Sequence, residues 1–161
     1  MPEKPGRTTT STYRDTRAAW RRIWDEEADL ARELGTLGHA RARQARALYL
    51  PHLPQDERIL EAGCGVGIEL VHLRQLGYRV AGIDYAENAL RQLHAYQSGH
   101  RLTVGDIHDL PYADGAFSAY LSFGVLEHAD FGPGPALAEA WRVLRPGGTL
   151  VLTVPYPNLV W

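Results

Sequence analysis

The chain has 161 residues, 45% of them apolar and 22% charged, which suits one folded domain and excludes two. Its single cysteine, Cys64, excludes a disulfide framework, and a formal net charge of −2 argues against the cationic excess that nucleic-acid binding requires. No run reaches the roughly 18 to 20 apolar residues that span a bilayer, and the N-terminus lacks the apolar core of a signal peptide, so a cytoplasmic protein is expected.

Residues 1–12 hold Pro2, Pro5, Gly6 and a Thr/Ser run without periodicity, the composition of a disordered tail. From Arg14 to Leu34, Trp20, Ile23, Trp24, Leu30, Ala31 and Leu34 recur at helical spacing. One amphipathic helix ending near Gly35 is predicted there, with Trp20 and Trp24 as core contacts between this helix and the sheet rather than a substrate platform. A second helix is expected over 39–49, with Ala42, Ala45 and Tyr49 on one side, stopping before Pro51.

Beyond Pro54 the pattern changes to short apolar runs at 58–62, 78–84, 101–105, 116–123 and 149–155, which read as buried strands. Helical patterns over 68–76, 87–96 and 135–144 separate most of them. Strands alternating with helices predict an α/β fold with a mainly parallel sheet covered on both faces.

The first strand runs into Glu61-Ala62-Gly63-Cys64-Gly65-Val66-Gly67 and then a helix. Glycines there permit positive φ and close backbone approach to a ligand. A dinucleotide fingerprint wants its third small residue at position 68, which is Ile68, so an NAD(P)-dependent oxidoreductase is a weaker reading than a nucleoside site without pyrophosphate. Twenty-one residues after Gly63, Asp84 ends the second strand, where a carboxylate can accept both ribose hydroxyls. Asp106 ends the third strand, placed to accept from an adenine amine while the Ile107 N–H serves a ring nitrogen. Cys64 lacks a nearby His and reads as a packing residue. The seven histidines show no metal-ligand spacing, and no metal is predicted.

Over about residues 58–155 the chain resembles the class I S-adenosylmethionine-dependent methyltransferases, within the small-molecule group that includes quinone-biosynthesis enzymes. Further matches are Leu110-Pro111-Tyr112-Ala113-Asp114, Phe123-Gly124-Val125-Leu126-Glu127-His128 and Leu144-Arg145-Pro146-Gly147-Gly148. The resemblance implies a Rossmann-like doubly wound sheet of order 3-2-1-4-5, without the last two strands the family usually has. It implies S-adenosylmethionine as cofactor, with Gly63, Gly65 and Gly67 along its methionine part, Asp84 on its ribose, Tyr85, Asp106 and Ile107 around its adenine, and Glu61 and Cys64 of the glycine motif as further cofactor-binding residues. Phe123 then faces the methionyl amine by its backbone. Two positions depart from the pattern: Ala86 replaces a helix-capping hydroxyl residue, and Ser118 stands where Phe-Asp is usual.

Methyl transfer is in-line displacement of a neutral thioether, so positioning does most of the work. A base is needed only for a hydroxyl or protonated amine acceptor, and His128 is the candidate. Residues 13–50 are expected to form a helical lid on a cofactor domain at 51–161, with one of Arg41, Arg43 or Arg46 reaching the methionine carboxylate. The partner is then a small-molecule methyl acceptor, with a non-catalytic cofactor-binding module as the alternative. The fifth strand is expected to leave an exposed edge open to an oligomer or partner, making the chain a fragment or a partner-dependent protein.

Overall fold

The computed structural model describes residues 13–26, 29–128 and 132–154. The expected disordered tail lies outside them. Five strands form one sheet: β1 (Arg58–Ala62), β2 (Arg79–Asp84), β3 (Arg101–Val104), β4 (Phe117–Phe123) and β5 (Leu144–Thr153). All pairings are parallel and the order is β3-β2-β1-β4-β5. The expected doubly wound α/β fold is therefore the observed one.

Side-chain alternation along the central strands builds two cores. On one face Ile59, Val80, Ala119 and Leu121 meet Leu70, Val71 and Leu73 of α4 (Ile68–Gln75), Leu93 of α5 (Glu87–Tyr96) and Tyr49 of α3 (Ala40–Tyr49). On the other, Leu60, Ala62, Ile83 and Tyr120 meet Ala136, Ala140 and Val143 of α6 (Gly134–Val143). Strands buried on both faces read as continuous apolar runs, which is why they were legible.

Three expectations need correction. The single helix over 14–34 is two, α1 (Tyr13–Glu26) and α2 (Leu30–Leu34). Asp29 starts the second, because its carboxylate accepts from the Ala31 and Arg32 N–H groups at 2.9 and 3.2 Å and caps a new helix there. In α3 the buried side chains are Arg46 and Tyr49, while Ala45 is exposed. Glu69 of α4 draws Arg46 inward. The fifth strand starts at Leu144 opposite Phe117, five residues early, and bulges through 145–148 before Thr149 pairs with Ala119.

Parallel strands put all their carboxyl ends on one side, and the order reverses between β1 and β4. That switch point is where open α/β sheets form a ligand crevice.

Candidate functional site

β1 delivers the glycine loop to this crevice. Gly63, Gly65 and Gly67 have φ of 73°, 51° and 72°, values a side chain would strain. The Gly63 and Cys64 N–H groups donate to the Ile83 carbonyl at 2.8 and 3.1 Å, and Gly67 N–H donates to Cys64 O at 2.7 Å. Gly67 then starts α4. The Cys64 thiol packs against Gly82, where an added Cβ would come within 2.8 Å of the sulfur, and burial pushes its pKa well up. It is a packing residue.

Asp84, 5% exposed, pins the loop from β2. Its Oδ2 accepts from Gly65 N–H and its Oδ1 from Ala86 N–H, both at 2.8 Å. Burial raises its pKa while these donors and Tyr85 N–H oppose the rise. Ala86, which lacks a capping hydroxyl, thus has its N–H satisfied from two residues upstream. Three backbone donors on about four lone-pair sites leave the Asp84 carboxylate one further acceptor position.

Glu61 is 5% exposed and its Oε2 finds no partner among the described residues. Burial, then the charges of Glu69 and Asp84, drive its pKa well above the carboxylate range. Beside it stands a network that sequence spacing did not reveal. Arg46 forks onto Glu69 through Nε, at 3.0 Å to both oxygens, and Nη2, at 2.5 Å, while Tyr49 OH donates to Glu69 Oε2 at 2.7 Å. Arg46 Nη1 donates to Leu37 O, and Arg43 donates to Gly38 O. Both guanidiniums are thus engaged by the chain's own acceptors. The signal was present, since Glu69 sits in the first turn of α4, but helical phase does not choose its partner.

At the end of β3, Asp106 Oδ1 accepts from His108 N–H at 2.9 Å and lies 2.7 Å from His108 Nδ1. Ile107 is buried in the core beneath, which leaves its backbone as the part able to meet a ligand. After β4, the Phe123 ring leans on Tyr49 at 5.3 Å, and Gly124 N–H is anchored to Thr153.

The tryptophans of α1 are expected as core contacts to the sheet; Trp24 does pack against a buried cluster, but on the glycine loop rather than on a strand. An added Cβ on Gly65 would lie 2.7 Å from the Trp24 ring, so the indole rests on the glycine loop. It belongs to a cluster with Val66, Ala86 and Tyr85, and Asn88 Nδ2 donates to its carbonyl at 3.5 Å. Trp20 meets the His128 ring edge-on at 4.6 Å. Val125 crowds Gly63 in the same way. His128 is 41% exposed, with Nε2 3.9 Å from Glu127 Oε1.

The structure brings Glu61, Gly63, Cys64, Gly65, Gly67, Asp84 and Tyr85 into one cluster around the ends of β1 and β2. S-adenosylmethionine fits this donor set on one observation above the others: a buried, unpartnered Glu61 Oε2 beneath the glycine loop suits a cationic ammonium. Among the described residues no helix is long and apolar enough to cross a membrane, and no group of three or more His, Cys, Asp or Glu is placed to hold a metal.

Residues 60–152 match the family model described as methyltransferase domain. A malonyl-[acyl-carrier protein] O-methyltransferase of Serratia marcescens is 32% identical over 130 residues, covering 81% of this chain and 47% of that protein. A demethylmenaquinone methyltransferase of Deinococcus radiodurans is 37% identical over 133 residues, covering 77% and 54%. A crystal structure of a SAM-dependent methyltransferase from Methanosarcina mazei superposes with a TM-score of 0.59 at 25% identity, over 65% of this chain and 55% of that one. The chain thus spans about half the length of the curated relatives it matches. With its sheet order, its glycine loop and this match over more than half its length, the chain belongs to the S-adenosylmethionine-dependent methyltransferase domain family.

Proposed function

We propose that this chain binds S-adenosylmethionine across the carboxyl ends of β1, β2 and β3 and carries out methyl transfer to a small-molecule acceptor. The observation that carries the reading is the glycine loop held on Asp84 with Glu61 buried and unsatisfied beneath it. The relatives' names support a small organic methyl acceptor, demethylmenaquinone in one and a malonyl group carried on acyl-carrier protein in the other. The NAD(P) reading has no comparable support, since Gly67 falls one position early for a dinucleotide loop.

The bound cofactor supplies an electrophilic methyl on a neutral leaving group, so the chain contributes position more than acid catalysis. Asp84 accepts from a ribose hydroxyl through its remaining lone pair, and Glu61 meets the ammonium. Tyr85, Asp106 and the Ile107 N–H bound the adenine, and the Phe123 backbone closes the methionine end. His128 takes the proton from a hydroxyl or ammonium acceptor, with the Trp20 ring holding its imidazole. Helices α1 to α3 act as the lid, and the Trp24 indole gives up its place on Gly65 when the loop receives its ligand. The open edge of β5 is where a partner strand pairs.

Calorimetry with S-adenosylhomocysteine and NADH tests the assignment. The first should bind and the second should not. Asp84→Ala should weaken binding roughly 10- to 150-fold, the equivalent of about 1.5 to 3 kcal/mol for a charge-assisted hydrogen bond. NADH binding, or unchanged affinity in the variant, overturns the reading; a methyl-acceptor screen with the labelled cofactor then separates an enzyme from a binding module.

A further inference from the structure

At the opposite end of the sheet, where β1, β2 and β3 begin, lies a cavity of about 990 Å³ whose lining includes Arg58, Arg74, Arg79 and Arg101. The strand register gathers three of them. Arg58 pairs directly with Arg79, and Arg101 pairs with Ala81, two residues beyond Arg79 and so on the same face. Neighbouring strands are about 4.8 Å apart, and like charges side by side at that spacing destabilise a sheet unless something neutralises them.

Nothing among the described residues does. Arg58 meets only the Phe117 ring, 6.0 Å from its centroid, and Arg79 gives one N–H to the Asp56 carbonyl at 3.2 Å. Arg74 and Arg101 have no hydrogen-bond or ion-pair partner there. The acid of the lining, Asp114, is bound to Arg142 at 2.9 Å, and nearby Glu57 is taken by Arg145 and Ser118.

We propose that this cavity is a binding site for a small phosphorylated molecule with an apolar body, its phosphate held by Arg58, Arg79 and Arg101 and its body against Tyr112 and Phe117 on the same face of the sheet. Guanidinium forks match phosphate oxygens two at a time. The volume is at the upper end of small-molecule sites. A nucleic acid is disfavoured, because the arginines sit in a concave recess of a chain whose net charge is −2. Arg58 and the glycine loop lie at opposite ends of β1, roughly 16 Å apart at about 3.3 Å per residue, so this site stands or falls separately from methyl transfer.

The test uses pyrophosphate as the probe at constant ionic strength, with Arg58→Ser and Arg101→Ser beside the exposed control Arg91→Ser. In phosphate-free buffer the first two variants should melt at or above the parent, because repulsion is relieved. With millimolar pyrophosphate the parent should be raised and the order reversed, and calorimetry should show each loss weakening pyrophosphate roughly tenfold or more, with the control unchanged. Pyrophosphate affinity equal in parent and variants overturns the site. So does a single-stranded RNA that binds through these arginines and is not displaced by pyrophosphate.

Discussion

Replacing Glu61 by Gln isolates a carboxyl whose pKa is raised well above the usual carboxylate range by burial, then by the charges of Glu69 and Asp84. The unfolded chain releases that proton near pH 4.5, whereas the folded chain releases it only at higher pH. Between the two values the native state binds one proton more than the unfolded state. The stability tied to Glu61 is therefore complete below the unfolded value and is lost as pH rises toward the folded one, at about 1.36 kcal/mol per pH unit. For a chain of this size that slope is about 3 to 5 °C of melting temperature per unit. Glutamine carries no such proton, so the variant should gain on the parent steadily from pH 5 upward, whatever constant offset its amide introduces. Calorimetric melting at half-unit intervals from pH 5 to 8 reads the difference. A flat difference means that Glu61 is ionised in the folded chain, and the argument fails. The same residue links pH to the cofactor: meeting an ammonium should expel the proton, so S-adenosylhomocysteine binding by the parent should release protons into buffer and binding by the Gln variant should not.

Gly65→Val should lose cofactor affinity more than stability and change tryptophan emission, because its Cβ would meet the Trp24 ring at 2.7 Å and φ is +51°; parental calorimetry and fluorescence would reduce the glycine loop to a simple turn. Arg46→Met leaves Glu69 with Tyr49 alone in a buried pair, at a cost of about 3 kcal/mol, or roughly 6 to 12 °C in melting temperature. A loss under 2 °C would show that water already solvates Glu69. Leu150 on the edge strand β5 is 44% exposed, so sedimentation should show concentration-dependent association that Leu150→Lys reduces. A parent that stays monomeric at high concentration rules this out.

Local patterns carried much of this protein. Buried parallel strands write themselves as apolar runs, and a loop that needs three positive φ angles writes itself as Gly63, Gly65 and Gly67. Asp84 was legible for the same reason: a strand end has a fixed distance in sequence from the loop it faces. What depends on the meeting of distant segments was not legible. Periodicity marks Arg46 as one of three arginines on a polar helix, and only packing against α4 makes it the buried partner of Glu69. Trp24 has the spacing of a core residue, yet the angle of α1 sets its ring on Gly65 instead. Asp29 starts a second helix inside a run whose spacing reads as one, because its carboxylate reaches two backbone donors. Arg58, Arg79 and Arg101 are separate strand starts in the chain and become one charged row only when parallel pairing fixes their register. Secondary structure and the glycine loop follow from short-range sterics and burial, which neighbouring residues encode. Ion pairs, ring contacts and charge rows follow from which faces come together, and that is decided by the assembled fold.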